Sequence, residues 1–266
     1  MRPVSPSGEG TLLGRLASLR ELDYHSRLVH ATLFAILLGW TVGLVTVRIV
    51  ATGSPRFVFL LWNLFLATLP WLAAVMLRHL HRNGSSIAEG LTRSGPLGRL
   101  AQRGLRVGTT LFWLLFLPNA FYILTDLVHL RGNGSLLYWY DLVLLLSAAF
   151  TGLLLGYASL RDVQNIVVAR RGPLVGWVMA LGALLLSGFG IYLGRILRFN
   201  SWDVAAAPIG VAEATLVRLF DPVGHPEAWG MTLLFGGLLV VLYLPLQIFV
   251  PGRQQQSRSR QAASPE

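Results

Sequence analysis

Apolar residues come in long unbroken blocks, and these blocks set the predicted elements. Five are long enough to span a membrane: 30–50, 56–78, 139–160, 174–197 and 229–250. A helix needs about 20 apolar residues to cross a hydrocarbon core of about 30 Å. A sixth block, 106–130, is apolar through Leu117 and then passes Pro118 and Asn119 into a polar half. Continuous runs suit helices, which satisfy their own backbone, whereas barrel strands alternate. The pattern predicts an all-α integral membrane bundle of about six transmembrane helices, with short interfacial helices added.

The intervals between blocks complete the organisation. An arm over 1–29 precedes a six-span domain over 30–250, and a Gln-, Ser- and Arg-rich tail over 251–266 is expected to be disordered. In the arm, Leu12, Leu16 and Leu19 share a helical face, which reads as a short interfacial helix or as a frayed end. The first block lacks a cleavage site at its end, so no cleavable signal is expected. The interval 199–228 is too long for a turn. Pro208 and Asp221-Pro222 bracket a short interfacial helix expected to lie over the outer face, where it could lid the polar residues gathered there, and His225-Pro226-Glu227 reads as loop.

Within the blocks, Pro70, Pro118 and Pro245 each remove a backbone donor and predict kinks. Glycines recur four apart at Gly39/Gly43, Gly104/Gly108, Gly152/Gly156 and Gly190/Gly194. That spacing lets helix backbones approach closely, either inside the bundle or between two copies in a homo-oligomer.

Composition narrows the classes. The chain is 54% hydrophobic and 13% charged, against roughly 25% charged in soluble domains. The absence of Cys excludes disulfides, thiolate catalysis and Cys-ligated metals. The net charge is +10, and all 22 basic residues are Arg. A basic chain can signal nucleic acid, but here the Arg residues punctuate the blocks and form no single basic face. No nucleic-acid partner is expected; the bilayer is. Sixteen Arg fall in the arm, the tail and the intervals after the second and fourth spans. The other side holds six: Arg48, Arg56, Arg131, Arg195, Arg198 and Arg218. The positive-inside rule then predicts both termini in the cytoplasm, and an even span number agrees.

Direction gathers the polar residues. On this reading Asn63 lies in the outer half of the second span, and Asn119, Tyr122, Thr125, Asp126 and His129 in that of the third. Tyr140 and Asp141 start the fourth span, and Tyr192, Arg195 and Arg198 end the fifth, before Asn200, Trp202 and Asp203. Asn119, Tyr122, Asp126 and His129 step by three, four and three, which makes one helical stripe. Facing lipid it would cost about 2.5–3.5 kcal/mol per central charge, so it should face the interior or an outer cavity. Asp126, Asp141 and Asp203 are candidate partners for Arg195 and Arg198. Three chemistries fit these residues: a structural hydrogen-bond network, acid–base catalysis by Asp126 with His129, and a metal site completed by Asp141 or Asp203. Asp-x-x-His without a second His is a weak metal signal, and no metal or cofactor is expected. Other readings are local: Arg195 and Arg198 snorkelling, Tyr138, Trp139 and Tyr140 forming an aromatic belt, Asp141 favoured by a helix dipole. The opposite halves of the spans read as almost purely apolar. No nucleotide-binding, metalloprotease or nucleophile-elbow motif is present, and no internal repeat supports a transporter built on one.

Two segments carry a resemblance. Leu117-Pro-Asn-Ala-Phe-Tyr-Ile-Leu-Thr-Asp-Leu-Val-His-Leu130, and Ser187-Gly-Phe-Gly-Ile-Tyr-Leu-Gly-Arg195 through Asn200-Ser-Trp-Asp203, resemble an uncharacterised bacterial multi-pass membrane family, a domain of unknown function. Asn63 to Pro70 and Trp139-Tyr-Asp141 extend the likeness, which covers about 55–250. Phe121 departs from it at a position where Pro is common. The resemblance implies a bacterial cytoplasmic membrane and no established activity. Three functions stay open: a scaffold or partner in an envelope complex, a small transporter, and an embedded enzyme acting on a lipid or envelope precursor through Asp126 and His129.

Overall fold

The computed structural model describes residues 9–82, 95–132, 134–199 and 202–249, with the side chains of 9–27, 30, 82, 205, 248 and 249 outside the description. Eight helices are described: α1 (Glu9–Thr52), α2 (Phe59–Arg82), α3 (Gly95–Tyr122), α4 (Leu136–Arg171), α5 (Pro173–Arg195), a single turn α6 (Asp203–Ala206), α7 (Pro208–Phe220) and α8 (Pro226–Phe249). Six stretches are long and apolar enough to cross a membrane: Ala31–Thr52, Phe59–His81, Gly95–His129, Leu136–Arg171, Pro173–Arg195 and Pro226–Gln247. No strand occurs among the described residues. The fold is therefore an all-helical, multi-pass membrane bundle. The tail over 251–266, residues 1–8, the faces of the arm's leucines and Asn200 lie outside the described residues.

Local chemistry sets the breaks. α1 stops at Gly53, which adopts φ +65 and is followed by Pro55. α4 opens on Ser135, whose side chain accepts from the Tyr138 N–H at 3.2 Å. It closes on Gly172 at φ +87, and Pro173 opens α5 at once. Pro208 and Pro226 occupy the first turns of α7 and α8. Pro70, Pro118 and Pro245 all sit inside continuous helices.

Helices outrun the apolar blocks. α4 continues eleven residues past the predicted end at 160, to Arg171, and α3 begins at Gly95. At 1.5 Å per residue α4 is about 54 Å long, well beyond a hydrocarbon core of about 30 Å. Hydropathy locates only the part that must be in lipid. Beyond it the helix continues because its backbone bonds remain intact.

Two apolar clusters meet on α3 and α4. One joins Leu77, Trp113, Leu117, Phe121, Leu160, Leu184 and Leu239; the other joins Phe34, Val45, Phe57, Leu60, Leu64, Ile123, Leu144 and Leu155. α4 is the most enclosed span, and α1 and α8 the least. Glycines let the backbones close up. A Cβ on Gly156 would stand 2.6 Å from the Phe121 ring, and one on Gly190 2.7 Å from the Pro118 ring. A Cβ on Gly152 would meet the Ala120 carbonyl oxygen, and Gly188 lies against the Gly236 backbone of α8. Gly39, Gly43, Gly104 and Gly108 have nothing within 4 Å of such a Cβ. Only the α4 and α5 pairs pack inside the bundle.

Contacts also order the two ends. Near its end α1 meets the start of α4 through Arg48 and Asp141, and towards its end α8 meets the far part of α4 through Tyr243 and Gln164. One end thus carries Asp126 and Asp141, the other Asp162 and Gln164.

Candidate functional site

Pro118 does not interrupt α3, but the helix tightens five residues later. Ile123–His129 is a 3-10 segment. Its three-residue period eclipses i and i+3, so Ile123, Asp126 and His129 align. The stripe expected on one α-helical face is therefore split. Asp126 turns inward and is 1% exposed, while Asn119, Tyr122, Thr125 and His129 are half-buried.

Both oxygens of Asp126 are engaged. Arg195 Nη2 donates to Oδ1 at 2.8 Å, and Asn63 Nδ2 donates to Oδ2 at 2.7 Å. Arg195 also donates to Thr125 Oγ1 from Nη2 at 2.7 Å and from Nε at 3.1 Å. Its guanidinium carbon lies 4.7 Å from the centre of the Tyr122 ring, a geometry that attracts a cation. Thr125 donates in turn to the Tyr122 carbonyl at 2.6 Å. Three elements converge here because Gly190 and Gly194 let α5 reach Pro118 and Tyr122 of α3. The Asp126 nest thus joins α2, the 3-10 segment and α5.

Asp141 belongs to a second nest. The expected partners Arg195 and Arg198 do not reach it. Arg48 instead donates from Nε to Oδ1 at 2.6 Å and from Nη2 to Oδ2 at 3.2 Å, a bidentate fork between groups 6% and 2% exposed. Arg48 Nη1 also donates to Thr52 Oγ1 at 2.5 Å. Arg56 lies 3.8 Å from Asp141 and donates to the His129 carbonyl at 2.6 Å, so one side chain bridges the two nests. Phe57 sits beneath both guanidinium groups, 5.7 Å from Arg48 and 5.0 Å from Arg56.

The remaining candidates disperse. The His129 ring packs edge-on to Phe59 at 5.0 Å and makes no ion pair with Asp126. Asn119 donates to the Phe116 carbonyl at 3.2 Å. Tyr192 joins a third group, donating to Glu227 at 3.4 Å and accepting from Arg218 at 3.3 Å. Glu227 therefore lies in the first turn of α8 and is not loop. Arg198 is exposed at φ +61 and makes no ion pair among the described residues. Trp202 packs against Trp62 at 5.8 Å, and Asp203 opens α6. Among the described residues no three His, Asp or Glu side chains are grouped to hold a metal ion.

Sequence reasoning missed Arg48 and Arg56. In the sequence pattern they enter only as charges that set orientation. Their signal was present: an Arg at a span end against the positive-inside trend needs a counter-charge, and Asp141 was near in depth. The far end also holds more polarity than expected. Tyr243 donates to Gln164 Oε1 at 2.6 Å, Gln247 donates to the same atom at 3.1 Å, and Arg78 pairs with Asp162 at 3.0 Å. Isolated Gln and Tyr residues barely lower the hydropathy of a span, which is why they escaped notice.

Six spanning helices tied by buried carboxylate–arginine nests define a multi-pass α-helical membrane protein. The chain belongs to the family described as "Protein of unknown function (DUF1361)", which matches residues 62–242. No curated protein and no solved structure matches it.

Proposed function

We propose that the chain is a non-enzymatic membrane protein, a scaffold or partner within an envelope complex of the bacterial cytoplasmic membrane. Both termini lie in the cytoplasm, and the Asp126 and Asp141 nests lie on the non-cytoplasmic side. The Arg asymmetry supports that direction. The observation that carries the functional reading is the Asp126 carboxylate: it is buried, and Arg195 and Asn63 hold both its oxygens. A general base must reach a substrate proton. This carboxylate instead ties three elements together.

The transporter reading has less support. Leu117, Ala120, Phe121 and Leu155, all fully buried, fill the layer between the Asp126 nest and the Gln164 group. Gly152 and Gly156 let α3 and α4 close that layer. Among the described residues no continuous polar path crosses it.

The test compares Asp126→Asn and His129→Ala in a strain lacking the native copy. Membrane abundance, the size of the native assembly on non-denaturing gels and rescue of the deletion phenotype are measured together. A scaffold predicts that Asp126→Asn lowers all three in proportion. Normal abundance and assembly with lost rescue would overturn the reading and favour the embedded enzyme.

A further inference from the structure

α7 is built inside out relative to a helix of a water-soluble domain. Ile209, Leu216 and Phe220 recur at spacings of seven and four, so they share one face. They are 81%, 52% and 78% exposed, and no residue of the helix is fully buried. Val217 on the helix and Val223 in the turn after it are exposed as well. The opposite side, with Ala214, Thr215 and Arg218, is half-buried.

That inner side is anchored by polar bonds. Arg218 donates to the Tyr192 hydroxyl at the end of α5, and its backbone carbonyl accepts from Trp229 Nε1 of α8 at 3.1 Å. Both anchors lie where spans end, so α7 sits at the level at which the bundle leaves the hydrocarbon. The spans that anchor it are themselves apolar on the outside: Ile196, just after α5, and Leu233, on α8, are exposed too. Glu213 is exposed on the same side as Leu216 and Phe220. A carboxylate there does not belong in the hydrocarbon centre, but it is compatible with the headgroup boundary, where amphipathic helices lie about 5–10 Å deep.

We propose that α7 docks on the lipid leaflet at the Asp126 end of the bundle, with Ile209, Leu216, Val217 and Phe220 at the boundary between headgroups and acyl chains. The partner is the lipid surface itself. Arg218 is the strut that holds the helix at that depth through Tyr192.

The chain has no native Cys, so single cysteines can carry a spin label in the full-length protein. Leu216→Cys, Phe220→Cys and Thr215→Cys are labelled and reconstituted into nanodiscs of phosphatidylethanolamine and phosphatidylglycerol, 3:1. Collisions with oxygen, which concentrates in acyl chains, are compared with those of a water-soluble nickel chelate. The expected result is a several-fold excess of oxygen over nickel collisions at 216 and 220, and low collision rates with both at 215. Nickel-dominated collisions at 216 and 220 would place the face in water and overturn the proposal. Low rates with both reagents at 216 and 220 would mean protein covers the face, as a second copy or another partner, and would equally overturn it.

Discussion

Asp126 and Asp141 are each almost completely enclosed, at 1% and 2% exposure. A carboxylate at that depth needs a counter-charge or a proton, because desolvation is not repaid otherwise. Each has an Arg within 2.8 Å. Breaking a buried pair by removing one partner costs about 3–5 kcal/mol. Asp126→Asn keeps the shape but strands Arg195, which is 22% exposed and retains Thr125, so the loss belongs at the lower end of that range. It is read as a lowered melting temperature in detergent. The double variant Asp126→Asn/Arg195→Met recovers part of the loss, and a strictly additive double would show that the pair is not coupled. At the other end, Gln164 accepts from Tyr243 and Gln247. Gln164→Ala leaves the buried Tyr243 hydroxyl without its acceptor and lowers stability by about 1–3 kcal/mol in the same assay. Asp126 and Arg195 were legible at this scale, since spacing and depth brought them together. Arg48 as the partner of Asp141 needed the structure, because depth alone left Arg48, Arg195 and Arg198 equal candidates for it.

Elements divide into those whose small residues face a neighbour and those whose small residues face outward. The four glycine pairs look alike in sequence, yet only Gly152/Gly156 and Gly190/Gly194 meet another helix. Gly156→Ala should cost about 1–3 kcal/mol, because the Phe121 ring must move in a packed core. Gly108→Ala should be neutral or stabilise by up to about 1 kcal/mol, because Gly is the poorer helix former and the added methyl meets open space. Opposite signs in thermal melts check this, and equal losses would contradict it. Helix existence was legible from apolar length, and the helix over Pro208–Phe220 from its flanking prolines. The 3-10 segment was not. Asp126 within it is held by Arg195 and Asn63, and neither lies near it in sequence.

Among the described residues, the buried charges lie at the Asp126 end of the bundle and Gln164 at the other, with only hydroxyls such as Thr41 and Thr151 buried between them. A cysteine placed beyond Val250 should react with a membrane-impermeant maleimide only after the cell is permeabilised. One replacing Arg131 should react in intact cells. The reverse pattern would invert the proposed orientation and move both nests to the cytoplasmic side. By itself, the amino-acid sequence determined the helical class and the six spans. Those follow from local quantities: apolar run length and turn chemistry. Only the tertiary structure decided which charges pair, which glycines pack and that Asp126 and Asp141 sit in separate nests. Those depend on how each helix is rotated about its axis, and in lipid that rotation is set by contacts with neighbouring helices. The polar stripe on the third span was visible from the start. Its division by a 3-10 segment, which sets Tyr122 and Thr125 on one line and Asp126 and His129 on another, was not.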